Sequence, residues 1–109
     1  MTNIYETTII VKPDLANDQL KNFNLSIDNF FTDNDVSIAY REDWGIKNLK
    51  SSIKKYSKGA FKFMRFNSKS DFPKKLDGFL KFNTDCLRFL ITKTHNEIDE
   101  ITPQINKDN

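Results

Sequence analysis

The feature that most narrows the folds open to this chain is a change of apolar period, from two to three-or-four and back, made twice along its length. Residues 4–11, IYETTIIV, are β-branched and aromatic with a partial period of two, which predicts a strand ended by Lys12-Pro13. That strand places Tyr5, Thr7, Ile9 and Val11 on one face. PDLANDQ is turn and helix-start chemistry, with Asp14 or Asn17 available to cap the exposed backbone N–H groups. Leu20, Phe23, Ile27, Phe30 and Phe31 then recur at 3–4 spacing, so an amphipathic helix runs to about residue 32, where TDND breaks it.

Alternation returns in VSIAYREDW, residues 36–44, with Val36, Ile38 and Tyr40 sharing a face and Gly45 suited to a bulge or bend. IKNLKSSI continues that strand, KKYSKG supplies a turn and AFKFMRF comes back, making residues 36–66 one long antiparallel hairpin. SKSDFPKKLDGFLKF predicts a second helix, capped by Ser70 or Asp71, with Pro73 in its first turn and Phe72, Leu76, Phe79 and Leu80 inward. Gly78 inside it costs about 1 kcal/mol relative to alanine. CLRFLITKT is a fourth strand. The order β-α-β-β-α-β predicts an α+β, ferredoxin-like domain over residues 1–94, a four-stranded antiparallel sheet with both helices on one face. Residues 95–109 read as a polar, acidic tail.

Catalytic and metal chemistry find little to work with. His95 and Cys86 stand nine residues apart with no second soft ligand, too few for a closed zinc site, so no metal or cofactor is expected. Cys86 reads as a small core or interface residue. Small phosphatases on this fold cradle phosphate between the first strand and helix, in a loop that favours Gly and a nearby Arg. Here that loop is VKPDLAND, with neither, and its proline removes a donor. No enzyme is expected. No run approaches ~18 apolar residues and no secretory layout opens the chain, so the expectation is a soluble, intracellular protein without a membrane.

Charge is more telling. The net charge of +2 hides a segregation: residues 41–75 hold 11 Lys/Arg against 3 Asp/Glu, and the rest 6 against 12. From Lys47 to Lys69 there are eight basic residues and no acidic one. A field divided this way steers an anionic partner to one face. Lys outnumbers Arg fourteen to three, which favours point-charge contacts with backbone phosphates over bidentate reading of bases. A free-standing RNA-recognition module is the alternative. Its third-strand signature begins correctly at Lys58-Gly59, but Ala60 stands where the first stacking aromatic belongs, and Phe61, Phe63 and Phe66 miss the register. These phenylalanines are expected to be mostly core. On the last strand Leu87, Phe89 and Ile91 share one face, with Cys86 and Leu90 on the other. Apolar residues on both sides predict that another protein covers the open sheet face.

YETTIIVKPDL near the start, EDWGIKNLKSSIKKYSKGAF in the middle and FLKFNTDCLRFLITK late resemble the sixth protein of the bacterial-type small ribosomal subunit, over about residues 3–94. Tyr5-Glu6, Trp44-Gly45, Ile53 with Lys54-Lys55, Lys58-Gly59 and Leu87-Arg88 carry the resemblance. It implies a non-catalytic, cofactor-free protein of the small subunit, in a bacterial cytoplasm or an organelle such as the mitochondrion. It further implies binding to the central domain of small-subunit rRNA together with small-subunit ribosomal protein eighteen and other small-subunit components. On that resemblance Arg41, Lys47, Lys50, Lys54, Lys55 and Lys58 form the RNA side, while Arg88 and Lys93 serve RNA or partner. Leu87, Phe89 and Ile91 are the expected protein-partner residues, and Trp44-Gly45 is expected to pack at the strand's bend. Two departures stand out: Lys50-Ser51-Ser52 replaces a common Ala-Tyr-Pro, and the tail lacks the long acidic extension of some relatives.

Overall fold

Strand β1 (Asn3–Val11) is the spine around which the rest is arranged. In the computed structural model, which describes residues 2–94, it is flanked by β3 (Tyr56–Ser68) and β4 (Cys86–Thr94). With β2 (Ile38–Ile53) the sheet order is β2-β3-β1-β4, every pair antiparallel. Tyr5, Thr7, Ile9 and Val11 are all buried, as alternation requires of a strand with one face on a core. Helices α1 (Asn17–Asp33) and α2 (Phe72–Lys81) cover that face, giving the ferredoxin-like order β-α-β-β-α-β. The tail at 95–109, His95 included, lies outside the described residues.

The helical stripes pack where their spacing puts them. Phe23, Ile27 and Phe31 of α1 and Phe72, Leu76 and Leu80 of α2 are buried, and Leu15, Phe30 and Phe79 support them. Phe31, Phe66 and Phe72 form a triangle of edge-to-face rings with centroids 5.0–5.4 Å apart. Each such pair adds about 0.5–1.5 kcal/mol beyond the area it buries. Helix α1 starts between its two candidate caps, with Asn17 its first residue and Asp14 two residues before the cap. Ala16 is the N-cap and supplies no side-chain bond; instead Gln19 Oε1 accepts the Ala16 N–H at 3.0 Å. Asp71 occupies the N-cap position of α2, likewise without a side-chain bond, and Pro73 sits in the first turn.

The hairpin departs most from expectation. Its turn is only Lys54-Lys55, both with positive φ (+50° and +76°), and Ile53 pairs directly with Tyr56. Two positive φ values match the turn whose twist suits a two-residue hairpin, but Asn-Gly, its usual signature, is missing. β3 therefore begins four residues earlier than AFKFMRF. Register shifts then redistribute side chains, because one extra residue sends all that follow to the other face. Ile38 pairs with Phe66 but Tyr40 pairs with Arg65. Val36 and Ile38 accordingly pack on the core, while Tyr40 crosses to the open face against Phe63. A second shift lies between Asp43 and Gly45, where Gly45 takes φ +77°. A third spans Leu49–Ser52. In β4 the pairing jumps from Ile10↔Arg88 to Val11↔Cys86. Cys86 thus joins Phe89 and Ile91 on the helix side instead of sharing a face with Leu90.

Candidate nucleic-acid interface

β2 and β3 run on beyond the sheet: the last β1–β3 pair is Val11↔Ala60, while β2 and β3 stay paired to Ile53↔Tyr56. The two-stranded ribbon emerges beside the β1–α1 connection, where the Tyr56 hydroxyl lies 3.4 Å from an Asp14 carboxylate oxygen. At its root Ile10 Cγ2 lies so close to Gly59 that a Cβ there would be 2.3 Å away. That close approach requires glycine.

Folding divides the basic residues into two groups. Lys62 is turned inward and pairs with Asp43 at 3.2 Å. Arg65 is buried, and its Nε and Nη2 both donate to Glu6 Oε2, at 3.0 and 2.6 Å. Arg41 donates to Asp28 of α1 at 2.7 Å, in a pair about half-exposed on each side. Lys47, Lys50, Lys54, Lys55 and Lys58 are exposed and enter none of the ion pairs among the described residues. The ribbon therefore presents five lysines whose charge no carboxylate of the described chain answers. Arg88 is exposed on the open face opposite Ile10, at the ribbon's end of the sheet. Lys93 pairs with Tyr5 at the far end and on the helix side, so it belongs to a different surface.

The open face near the ribbon is aromatic but already occupied. Trp44 lies parallel on Phe63, with centroids 5.4 Å apart and planes 8° from parallel, and Tyr40 meets the same ring edge-on. Glu42 fixes both: its carboxylate accepts from Trp44 Nε1 at 2.6 Å and from the Tyr40 hydroxyl. Those two donors hold the Glu42 carboxyl below its ordinary range, the tyrosine bond first, and the same bond raises the Tyr40 phenol. Lys47 Nζ stands 5.2 Å from the Trp44 ring centre. Phe61 and Phe63 thus face away from the main core, with only Phe66 inside it. Phe63 is nonetheless 6% exposed, so its face is closed to a stacking base unless Trp44 moves. Trp44 itself packs at the strand's bend.

The expected partner residues of β4 are mostly inward. Leu87 is buried, and Phe89 and Ile91 pack against the helix-side core. The large apolar side chain this strand offers to solvent is Leu90, 62% exposed on the open face. The alternation held from Phe89 to Ile91 and failed at Cys86, where the register shifts; what it also lacked was the direction of the helices. Burial pushes the Cys86 thiol up to about 11, so it stays protonated as part of the core.

A lysine-tipped ribbon on a ferredoxin-like sheet, with its aromatic platform closed, defines a class of scaffold that presents unpaired cations on a protruding strand pair. Comparison with known proteins supplies the family. The model of ribosomal protein S6 matches residues 4–93, and the chain belongs to that family, whose members are structural, non-enzymatic components of the small subunit of bacterial-type ribosomes. It is similar to small ribosomal subunit protein bS6 of Geobacter metallireducens, 30% identical over 97 residues that cover 89% of this chain and 82% of the relative. The corresponding protein of Aquifex aeolicus is 31% identical over 87 residues, 79% of each chain. The crystal structure of 30S ribosomal protein S6 from Thermotoga maritima superposes with a TM-score of 0.79 at 18% identity, covering 86% of this chain and 89% of that one. That last likeness establishes the fold.

Proposed function

We propose that the chain binds the central domain of small-subunit rRNA through its ribbon and does so as one half of a pair with small-subunit ribosomal protein eighteen. The observation that carries the RNA contact is the set of five exposed lysines, Lys47, Lys50, Lys54, Lys55 and Lys58, none in an ion pair of the described chain. Lysines at the end of a narrow ribbon meet backbone phosphates of a folded RNA and release their counterions. Arg41 and Arg88 flank this surface; Arg41 must first exchange Asp28 for phosphate. On this reading the protein partner lies on the open face at Leu90, with Leu87, Phe89 and Ile91 shaping the strand behind it, and Lys93 serves at its rim. The closed Trp44–Phe63 stack weighs against a free-standing single-strand module.

The test is titration of junction-containing small-subunit rRNA with the purified protein, alone and with protein eighteen, at several salt concentrations. Weak binding alone, strong binding with the partner, and a log–log salt slope that falls by ~0.9 for each contacting lysine replaced are expected. Tight partner-free binding to a short single strand overturns the pairing. Single replacements of the five lysines that all leave the slope intact overturn the ribbon contact.

A further inference from the structure

Helix α2 carries an unexplained glycine beside an unexplained phenylalanine. Gly78 lies inside the helix, where glycine is unfavourable, yet a Cβ built on it meets nothing within 4 Å and its φ is not positive. Neither packing nor backbone geometry asks for it. Phe82, at the C-cap of the same helix, is 83% exposed, the most exposed large apolar side chain among the described residues. The two border one open groove of about 610 Å³, whose other lining residues are Phe30, Lys75, Phe79 and Asn83. Phe79 and Phe30 stack at 4.4 Å and 16° from parallel, so one wall is a flat aromatic pair.

Charge selects the occupant. No carboxylate lines the groove. Lys74 and Lys75 are exposed on α2 and enter no ion pair of the described residues, while the helix's own acid, Asp77, is turned to Lys81 at 3.8 Å. An apolar slot with an aromatic lip and cations at its rim complements a nucleobase attached to phosphate better than an apolar side chain of a protein. Its place also fits. Backbone hydrogen bonds from Asn83 to Leu80 and from Cys86 to Asn83, each 3.1 Å, keep Phe82 near the start of β4, and Cys86 pairs with Val11, whose other neighbour, Ala60, stands at the root of the ribbon. The Phe82 lip of the groove thus lies toward the same end of the sheet as the ribbon.

We infer that this groove receives one unpaired base of the RNA the ribbon holds, stacked on Phe82, with Gly78 kept bare to leave the slot open and Lys75 meeting the adjoining phosphate. The inference rests on the rRNA-binding reading above. Its test uses the full chain, small-subunit rRNA and protein eighteen, with Phe82→Ala, Phe82→Trp and Gly78→Leu measured against the parent. Phe82→Ala is expected to weaken binding about tenfold, the scale of one lost base stack, without changing the salt slope, and Phe82→Trp to restore it. Gly78→Leu fills the slot, so it is expected to weaken RNA binding while raising the melting temperature, because it removes a helix glycine. Opposite signs for stability and affinity are what a merely structural role cannot produce. A parent that binds no rRNA overturns the earlier reading and this one with it. A parent that binds while all three variants match it overturns the groove alone. Loss confined to the gain from protein eighteen, with RNA affinity in its absence unchanged, overturns the base and assigns the groove to a protein side chain.

Discussion

The Lys54-Lys55 turn holds two charged residues in a conformation that favours glycine, and replacing them with Asn-Gly separates stability from binding. Non-glycine residues in the left-handed region cost about 1–2 kcal/mol each. Both lysines are exposed, so their removal leaves no cavity. Asparagine relieves part of the cost at the first position and glycine all of it at the second, against about 0.4–1 kcal/mol returned to the unfolded chain by the new glycine. The Lys54→Asn, Lys55→Gly protein is therefore expected to be more stable by about 1 kcal/mol, some 4–8 °C in melting temperature for a domain of this size. Urea unfolding followed by circular dichroism measures it. The same change removes two of five outward charges, so the log–log salt slope for rRNA binding falls by up to ~1.8. A variant of equal or lower stability shows that the turn is not strained. An unchanged slope shows that the tip meets no phosphate, and either result refutes the argument that charge was placed here at the expense of turn geometry.

Gly59→Ala drives a Cβ to 2.3 Å from the stiff β-branched Ile10, and is expected to destabilise by about 1–3 kcal/mol; adding Ile10→Ala recovers part of that in a double-mutant cycle. Arg65→Met strands Glu6, whose side chain is 24% exposed, and is expected to cost about 2–3 kcal/mol, below the range for a fully buried pair. Arg41→Met breaks an exposed pair and is expected to cost under about 1 kcal/mol; equal denaturation midpoints for the two variants contradict this ranking. Glu42 titrates in the fold below its ordinary value, so the stability it supplies is present above the usual glutamate range and lost as pH falls through the depressed value. Fluorescence of Trp44, the single tryptophan, is expected to report that step below pH 4.5, and Glu42→Gln to abolish it.

What was legible in the residues was whatever depends on period. The burial of Tyr5, Thr7, Ile9 and Val11, the apolar stripes of both helices and the element order all follow from spacing of two or of three to four. Charge segregation likewise pointed to the ribbon before its geometry was known. The two-residue length of the turn escaped because Lys54-Lys55, inside the expected KKYSKG turn, carries no tight-turn signature, and the caps because Ala16 donates no side chain to the first turn of α1.

Taken alone, the sequence determined the fold and the location of the outward charge, because periodicity and composition are local properties that survive without coordinates, while the family was legible only through the resemblance of particular motifs. Tertiary structure decided which charges remain available. Lys62 and Arg65 are as basic as Lys54 in the chain, yet contacts 19 and 59 residues away in sequence turn them to Asp43 and Glu6. It also decided which face each strand residue takes, since single register shifts moved Tyr40 to the open side and Cys86 to the core. Pairings between distant strands set those shifts, and no local pattern records them.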